Sequence, residues 1–306
     1  MKKKVICAVS LNYKTYDKLE ECIACLTKSL LPDGYILKIF IVDSEFDEQK
    51  LDSIAKKYPQ VIFIKEKKNL GVGGGFNNGF RQALLFHPTY ILMLTPDIFV
   101  EKDTIKKLVN KALQDQNIGM ITPKMLLPTK PPKIYFVHGE LDKKVKTSNH
   151  IGYGDSKINA YDSYENTDFV NCAIVLIKSE IFQKVGFMDP SYFLYYEDID
   201  WSLRVKRAGY TITVLKDAVA WHDESSSVGK GSLKQEYYIT RNHLKFVYKN
   251  FSFPEAFLAS LYIGKECIGF CIDLIKNPHK GRSYFKLLGI KDFFFRNFGY
   301  KNLTAV

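Results

Sequence analysis

Residues 192–201 combine acidic and aromatic side chains in a way that suggests catalysis. Three carboxylates, Glu197, Asp198 and Asp200, fall within four residues of one another and lie beside five aromatic side chains. Carboxylates crowded together among apolar rings have raised pKa values, which suits them to general-base catalysis. The aromatic faces also suit the apolar faces of sugar rings. For Asp200 a structural role is the stronger prediction, because acidic side chains stabilise the N-terminus of a helix.

A further carboxylate, Asp97, follows an apolar run over residues 90–94 and closes the sequence Thr95-Pro96-Asp97. A carboxylate at the end of a buried strand is well placed to bind a divalent cation. Such a cation could bridge the two phosphates of a nucleotide diphosphate. Pro96 and Asp97 could equally do no more than turn the chain. Position alone leaves both interpretations open.

Residues 69–79 are rich in glycine and asparagine and lie between a predicted strand and a predicted helix. Glycines let the backbone approach a ligand closely, and N–H groups at the start of a helix suit a phosphate or a polar sugar face. The dinucleotide-binding fingerprint fails, because Phe76 and Asn78 fall where its third glycine should be. There is also no Gly-Lys-Ser/Thr sequence of a Walker loop. A tight turn would explain the composition equally well.

The elements that must position these residues alternate between strand and helix in the first half of the chain. Strands are expected over residues 5–11, 36–42, 61–64 and 90–94, and helices over 17–30, 51–58, 76–85 and 104–113. This alternation predicts an α/β fold with a mostly parallel sheet covered by helices on both faces. Ligands bind such sheets beyond the carboxyl ends of the strands. Asn12, Asp43 and Asp97 all fall at those ends, which predicts one polar rim.

The second half begins with a loop-rich excursion over residues 128–167 and then returns to regular elements. A strand is expected over 169–177, helices over 179–185 and 198–208, and short strands over 212–214 and 218–221. From about residue 235 the pattern is helical to the end. We therefore predict a main domain over residues 1–235 and a C-terminal helical extension over 236–306.

The net charge of +11 favours a polyanionic partner. No basic run is longer than Lys2-Lys3-Lys4, and no nucleic-acid-binding fingerprint is present, so nucleic acid is not an expected partner. Phosphorylated substrates and an anionic membrane surface are the better candidates. The apolar stretch at residues 5–11 is at the short limit for a signal peptide, no small-residue cleavage site follows it, and polar residues interrupt it, so a buried first strand is expected. The cysteines are best explained as buried thiols. Both indicate a protein of the reducing cytoplasm.

Residues 256–275 are apolar enough to suggest a membrane-spanning helix, but Lys265, Glu266 and Asp273 argue against one. On a helix these charges fall within about one 100° arc, with apolar residues around the rest. This pattern is typical of a helix that lies in a membrane interface or packs under the main domain. Basic residues beside aromatic ones follow, and they favour attachment to an anionic membrane surface. A helical cap with a solvated basic face is the alternative.

Taken together, the motifs resemble glycosyltransferase family 2, in particular its bacterial rhamnosyltransferase-like branch, over about residues 4–250. In chain order they are the loop at 69–79, Pro96-Asp97, the run from Gly186 to Asp200, Arg204 with Ala208-Gly209-Tyr210, Trp221-His222, Ser225-Ser226 and Arg241-Asn242. Each motif alone is weak. Their order and family-like spacing make the resemblance specific.

The resemblance implies a GT-A fold and an inverting transfer from a dTDP- or UDP-sugar to a glycan or polyprenyl-linked glycan in bacterial surface polysaccharide synthesis, with rhamnose the favoured sugar. It implies that Asp198 is the general base and that Glu197 binds the acceptor or is itself the base. Asp97 and His222 would hold Mn²⁺ or Mg²⁺. The implied donor-binding residues are Leu11, Asn12, Tyr13, Asp43, Asn69, Gly71, Gly74, Asn77, Asn78 and Thr95. The resemblance also favours an enzyme on the inner face of the cell membrane.

Two departures from the family pattern concern the donor site. Thr95 stands where the family has a first Asp or Asn, which removes one anionic ligand, and Ser44 replaces the usual Asn after Asp43. Two alternative functions remain. A sugar-phosphate nucleotidyltransferase should carry a glycine-rich phosphate loop after its first strand, and residues 12–15 contain no glycine. A non-catalytic nucleotide-sugar or glycan-binding module is the other alternative, because of Thr95.

Overall fold

The computed structural model describes residues 3–223, 232–276 and 281–303, without the side chains of 265–268 and 273–276. The strands are Lys4–Asn12 (β1), Tyr35–Ser44 (β2), Ile62–Glu66 (β3), Tyr90–Leu94 (β4), Ile98–Val100 (β5), Ile118–Leu127 (β6), Lys133–Phe136 (β7), Gly139–Leu141 (β8), Ser148–His150 (β9), Ile174–Lys178 (β10) and Thr211–His222 (β11). The helices are Tyr16–Thr27 (α1), Glu48–Lys57 (α2), Gly71–Leu84 (α3), Thr104–Gln114 (α4), Glu180–Lys184 (α5), Glu197–Arg207 (α6), Leu233–Asn250 (α7), Phe253–Lys276 (α8) and Arg282–Phe294 (α9).

One large sheet organises the described part of the chain. Its strands lie in the order β3-β2-β1-β4-β10-β6-β11-β5, with β7 paired to β6. Strands β3, β2, β1, β4, β6 and β11 run in one direction, and β5, β7 and β10 run against them. The prediction of a mostly parallel sheet flanked by helices is therefore confirmed. Strands β8 and β9 form a separate hairpin inside the excursion at 128–167.

Alternate residues of β1 enter hydrophobic cores on opposite faces of the sheet, as a buried parallel strand requires. Ile6 and Ala8 belong to the core that includes residues of α1, α2 and α4. Cys7 and Val9 belong to the core formed with α3, α5 and α6. Because both faces are covered, the polar groups of the central strands are free to meet a ligand only at the strand ends.

Helix α3 begins at Gly71, five residues before the start predicted from the sequence. Glycine has a low helix propensity, so the pattern placed residues 71–75 in a loop. Close packing explains the difference. A Cβ atom on Gly79 would lie 2.4 Å from Val9 Cγ1, and one on Gly75 would lie 2.5 Å from Leu11 Cδ1. The glycines let the helix lie directly against β1.

The C-terminal helices are closely joined to the rest of the molecule. Helix α7 begins at Leu233, so the predicted division after residue 235 falls inside it. It packs against both α8 and α9. In the described part of the chain no helix is both long enough and apolar enough to cross a membrane.

Candidate active site

The rim begins with Asn12 and Asp43, which pair at the ends of neighbouring strands β1 and β2. Asn12 Nδ2 donates to Asp43 Oδ1 at 2.7 Å, and the Tyr16 hydroxyl donates to Asp43 Oδ2 at 2.8 Å. Burial raises the pKa of Asp43, and these two hydrogen bonds oppose that rise. Asp43 is fully buried, so its contact with a nucleotide base stays a prediction.

Leu11 and Tyr13 lie on either side of Asn12 and have different surroundings, because Leu11 belongs to β1 and Tyr13 follows the end of that strand. Leu11 packs against Gly75 of α3 and the second hydrophobic core. Tyr13 is partly exposed, and its hydroxyl lies 3.4 Å from Glu45 Oε2. Of the two, Tyr13 is the one that remains accessible to a ligand.

The sheet register brings Asp97 and His222 together although they are 125 positions apart in the sequence. Asp97 precedes β5, which pairs with β11 in antiparallel register so that Ile98 lies opposite His222. The His222 Nε2 atom lies 3.4 Å from Asp97 Oδ2. Both side chains are largely buried, at 10% and 16% exposure. The structure thus brings together the two residues that the resemblance assigns to the metal.

Hydrogen bonds to Asp97 keep its carboxylate in the charged form. Burial alone would raise its pKa, but the hydrogen bond and charge of His222 and the hydroxyl of Thr95 together hold the pKa below its usual value. Thr95 Oγ1 donates to Asp97 Oδ1 at 2.5 Å. Thr95 therefore orients the carboxylate, whereas an acidic residue at this position would repel it.

His222 has one ring nitrogen that makes no hydrogen bond with any described residue. This atom, Nδ1, is buried, while Nε2 faces Asp97. The ring packs edge-on against Tyr135, with the ring centroids 4.1 Å apart. Among the described residues, no three His, Cys, Asp or Glu side chains gather closely enough to hold a metal ion. The described part of the chain thus offers two ligands here, one carboxylate oxygen and one imidazole nitrogen.

The loop predicted at residues 69–79 serves largely to pack α3 against its neighbours. Asn77 Nδ2 donates to Met188 O at 2.8 Å, and the Met188 N–H donates back to Asn77 Oδ1 at 3.1 Å. Asn78 donates to Glu66, and Asn69 accepts from the Gly71 N–H at 2.8 Å. The buried Asn77 therefore ties α3 to the segment that precedes Glu197 and Asp198.

Gly71 and Gly74 differ in how tightly they are enclosed. Gly71 has a φ of +73°, and a Cβ atom there would lie 2.3 Å from Phe193 O. At Gly74 a Cβ atom would meet Leu70 Cβ at 2.9 Å and Pro190 Cβ at 3.7 Å. The Val72 N–H donates to Phe193 O at 2.8 Å. The segment 190–193 occupies this end of α3, so a contact between the donor and Gly71 stays a prediction.

Glu197 and Asp198 lie in the first turn of α6, where Glu197 is buried and Asp198 is half-buried. Burial raises the pKa of Asp198 to about 6, against the opposing hydrogen bonds from the backbone N–H groups of Ile199 and Cys172. The pKa of Glu197 rises well above its usual value because of burial and the nearby charge of Asp198, and its Oε2 atom has no hydrogen-bond partner. Of the two carboxylates, Asp198 therefore ionises more readily, and an ionised carboxylate is the state that a general base requires.

The aromatic rings beside these carboxylates pack mainly inside the protein. Tyr192 and Tyr196 are buried, and Phe193 stacks on Tyr238 with ring centroids 5.3 Å apart. The expectation that this group of rings faces a sugar therefore does not hold for Tyr192 and Tyr196. Composition shows only that rings are present, and the side to which each ring points depends on the backbone.

Asp200 has the structural role that the sequence favours. It is fully buried, accepts from Arg204 Nε at 3.0 Å, and forms an ion pair with Lys249 of α7 at 3.0 Å. Asn250 Nδ2 also donates to its Oδ1 atom at 2.8 Å. A carboxylate with so many partners anchors α6 to α7 and is not free to accept a proton from a substrate.

Three residues that no sequence pattern singled out connect the two halves of the site. The Cys172 N–H bonds to Asp198, and the next carbonyl, Ala173 O, accepts from the Thr95 N–H at 2.9 Å. Asn171 lies beside them with a buried Nδ2 atom that has no partner. The segment 171–173 thus spans from the Asp97 side of the rim to Asp198. No spacing or composition rule marks it in advance.

The sheet order and the carboxylate rim define a GT-A type of α/β fold, and a solved structure supports this. The chain resembles GalNAc-T7 crystallised with UDP, GalNAc and Mn²⁺, with a TM-score of 0.59 and 14% identity over 79% of this chain and 51% of that one. The family described as Glycosyl transferase family 2 matches residues 6–201. The chain belongs to glycosyltransferase family 2, so the predicted family and fold are confirmed.

Two relatives indicate the branch. The Low-salt glycan biosynthesis hexosyltransferase Agl10 of Haloferax volcanii is 24% identical over 168 residues, which is 55% of this chain and 53% of Agl10. The N-acetylglucosaminyl-diphospho-decaprenol L-rhamnosyltransferase of Mycobacterium tuberculosis is 20% identical over 245 residues, which is 74% of this chain and 78% of that protein. The match thus spans about half of Agl10 and most of the rhamnosyltransferase.

Proposed function

We propose that this protein is an inverting, metal-dependent glycosyltransferase that moves a sugar from a nucleotide diphosphate to a hydroxyl of a glycan or polyprenyl-linked glycan. The observation that carries the proposal is Asp198, a half-buried carboxylate with a pKa raised to about 6, connected through residues 172–173 to the rim that holds Asp97. Rhamnose from dTDP-rhamnose is the favoured sugar, supported by the similarity to a rhamnosyltransferase. UDP-sugars are the alternative donors.

The proposed reaction is a single displacement at the anomeric carbon of the sugar. The acceptor oxygen attacks that carbon and its hydroxyl proton passes to Asp198. The bond to the diphosphate breaks, and the diphosphate leaves with the bonding electron pair. Asp198 is half-buried beside Glu197, and because the charge of Asp198 raises the pKa of Glu197, Asp198 is the carboxylate proposed to accept the proton.

Asp97 and His222 fit a divalent cation by the chemistry of their donor atoms. The carboxylate is held in its ionised form and faces an imidazole nitrogen, a mixed oxygen–nitrogen pair that suits Mn²⁺ and also accommodates Mg²⁺. A cation bound there would neutralise charge on the departing diphosphate. Two protein ligands leave room for the phosphate oxygens of the donor.

Replacing His222 by Ala should raise the concentration of Mn²⁺ needed for half-maximal transfer by at least about tenfold. Losing even an outer-shell partner of a metal ligand costs about 10–100-fold in metal affinity, and His222 is proposed as a ligand. The measurement is initial rate against Mn²⁺ concentration at saturating donor. His138→Ala, a histidine that stacks on Tyr164 away from this pair, is the control. An unchanged Mn²⁺ titration for the His222 variant removes this residue from the site.

A product-detecting assay with a panel of nucleotide sugars tests the proposed activity itself. The purified protein is incubated with Mn²⁺ and each donor in turn, and release of the nucleotide diphosphate is followed together with the sugar product. Release and transfer with one donor of the panel support the proposal. Tight binding of a nucleotide diphosphate without turnover of any donor would instead establish the non-catalytic binding module.

We also propose that the enzyme works at the inner face of the cell membrane, held there by α8 and the end of α9. Large apolar side chains stand exposed along one side of α8, including Phe257 at 49% and Leu258 at 63%, opposite the buried Ala256 and Ala259. The exposed apolar residues of this surface are Phe253, Phe257, Leu258, Leu261, Tyr262, Ile272, Phe294 and Phe295. The charged side chains at 265, 266, 273 and 276 that bore on the prediction lie outside the described residues.

Nearby positive charges support an anionic lipid surface as the partner of the exposed apolar residues of α8 and α9. Lys291 and Arg296 are exposed beside the exposed rings of Phe294 and Phe295. Aromatic side chains together with cations suit the headgroup region of an anionic bilayer, where each nearby Lys or Arg contributes about 1 kcal/mol.

A double substitution on α8, Phe257→Ser with Leu258→Ser, should weaken binding to vesicles that contain phosphatidylglycerol by at least about tenfold. Full burial of one such side chain contributes about 1.5–3 kcal/mol, and about 1.4 kcal/mol corresponds to tenfold in affinity. Co-sedimentation with the vesicles measures the change. Leu30→Ser with Leu85→Ser, which alters exposed leucines outside the C-terminal helices, is the matched control. Equal sedimentation of both double variants refutes the proposed surface.

A further inference from the structure

The backbone just before the catalytic carboxylates has an unusual conformation. Phe193, Tyr195 and Tyr196 have φ values of +68°, +68° and +74°, in the left-handed region that side-chain-bearing residues rarely adopt. Each such residue costs on the order of 1–2 kcal/mol. Such strain persists only where the surrounding structure enforces it, and it concentrates at functional sites. Glu197, the first residue of α6, follows directly, so this segment sets where α6 begins.

Asn242 of α7 makes the contacts that hold the segment. Its Nδ2 atom lies 2.9 Å from Tyr192 O, 2.7 Å from Leu194 O and 2.9 Å from Tyr195 O. The two amide hydrogens are thus shared among three carbonyl oxygens of the strained backbone. Asn242 is fully buried, so water cannot replace these bonds.

Arg241, the preceding residue, supports the same segment from a second direction. Its Nη2 atom donates to Tyr192 O at 2.8 Å, and its Nε atom donates to Asn242 Oδ1 at 3.0 Å. The guanidinium lies 4.9 Å from the ring centroid of Tyr238, and its Nη1 atom donates to Gly299 O at 2.8 Å. Arg241 therefore orients Asn242 and ties the segment to the chain that follows α9.

Helix α9 holds this part of α7 in place. The Tyr237 hydroxyl donates to Asp292 Oδ2 at 2.7 Å, and Lys301 forms an ion pair with the same carboxylate at 3.1 Å. A Cβ atom on Gly289 would lie 2.7 Å from Tyr237 O, so the two helices touch at their backbones. The contacts run without a break from α9 through α7 to the strained segment.

We propose that Arg241 and Asn242 are positioning residues for the general base: they hold residues 192–196 in the left-handed conformation and thereby fix Asp198 at the rim. This inference rests on the proposed function, because it assigns the contacts a part in transfer. It also gives the C-terminal helices a part in catalysis that is separate from any membrane attachment. Neither residue touches the reacting atoms.

The test uses the full-length protein and Asn242→Leu, which keeps the size of the side chain and removes its donor. Thr104→Val is the matched control, because Thr104 is also fully buried and donates to a backbone carbonyl, Val219 O at 2.6 Å, at the start of α4. Hydrogen exchange of residues 192–198 is measured first and needs no substrate. Transfer from dTDP-rhamnose with Mn²⁺ is measured next, as kcat, KM and the pH midpoint of kcat.

Faster exchange at residues 192–198 in Asn242→Leu but not in Thr104→Val is expected. A kcat about 10²-fold lower is expected with it, the loss typical of a reacting group displaced by about 1 Å. The donor KM should stay within about threefold, and the pH midpoint of kcat should move. A general loss of stability would increase exchange in both variants alike. It would not lower kcat in one variant while its KM stays nearly constant.

Two results would overturn the inference: exchange at residues 192–198 equal to that of the wild type, or faster exchange with kcat unchanged. If Asn242→Leu does not fold, Asn242→Ser, which keeps one donor, should give the same changes at smaller size. If the wild-type protein does not turn over dTDP-rhamnose, that donor assignment fails. The hydrogen exchange then decides by itself whether Asn242 holds the segment.

Discussion

Replacing Asp198 by Asn should lower kcat by about 10²–10⁴-fold, the range that a general base typically contributes. The substitution keeps the oxygen that accepts the Ile199 N–H at 2.8 Å, so the first turn of α6 should remain intact. It removes the group that receives the acceptor proton. Donor affinity should change little, because Asp97 and His222 are untouched. Stopped-time transfer assays give kcat, and calorimetry with the nucleotide diphosphate gives the affinity.

Glu197→Gln is the matched variant, since it neutralises the adjacent carboxyl group on the same turn. Its kcat should fall much less, because burial and the charge of Asp198 raise the pKa of Glu197 and favour its neutral form, which glutamine imitates. Near-normal turnover by Asp198→Asn, together with loss in Glu197→Gln, would assign the base to Glu197.

The pH profile of the wild type gives the same prediction a second observable. Only ionised Asp198 accepts a proton, and burial raises its pKa to about 6 from an ordinary value of 3.8. As pH falls through about 6, kcat should therefore fall, approaching tenfold per pH unit at lower pH. Among the described residues, the charge of Asp198 acts on Glu197, Tyr196 and the Cys172 thiol, and it raises the pKa of each of them together with burial. A flat profile between pH 5 and 7 would contradict the assignment.

Replacing Gly71 by Ala should destabilise the protein by about 2–5 kcal/mol and abolish most of the transfer activity. A left-handed backbone costs an alanine about 1–2 kcal/mol, and forcing a methyl group into filled space adds about 1–3 kcal/mol. The collision is with Phe193 O, at 2.3 Å from the ideal Cβ position, so relief requires movement of the backbone. That backbone belongs to the segment that leads into Asp198. Urea unfolding gives the free-energy change.

Gly34→Ala is the matched control. Gly34 has a similar φ of +80° but no atom within 4 Å of an ideal Cβ. Gly34→Ala should lower the free energy of unfolding only by the cost of alanine in a left-handed backbone conformation, about 1–2 kcal/mol, and leave transfer unchanged. If Gly71→Ala is as stable and active as Gly34→Ala, then the start of α3 does not pack tightly against Phe193.

Regular periodicity made the first half of the fold predictable. The strands at β1, β2 and β4 are apolar runs with no competing pattern, and the polar residues that end them form the predicted rim. The predicted start of α3 was wrong by five residues, because tertiary packing against β1 overrides the low helix propensity of glycine.

The candidate site was predictable where a residue type itself carries the chemistry, as with Asp97 and the pair at 197–198. It was not predictable where backbone geometry decides. Asn242 belongs to a motif that can be recognised in the sequence. Its role nevertheless depends on three residues with a left-handed backbone conformation, which no sequence pattern predicts. Asn171 and Cys172 lie beside Asp198 only because β10 enters the sheet against the direction of β4.

The antiparallel pairing of β5 with β11 has a consequence for the order in which the protein is built. The contact of Asp97 with His222 closes a loop of about 125 residues, and closing such a loop costs on the order of 4 kcal/mol of chain entropy plus a constant. During synthesis from the N-terminus, Asp97 is present long before its partner. The pair therefore assembles only after β11 has docked at the sheet edge, and a chain interrupted before residue 222 lacks the Asp97–His222 pair.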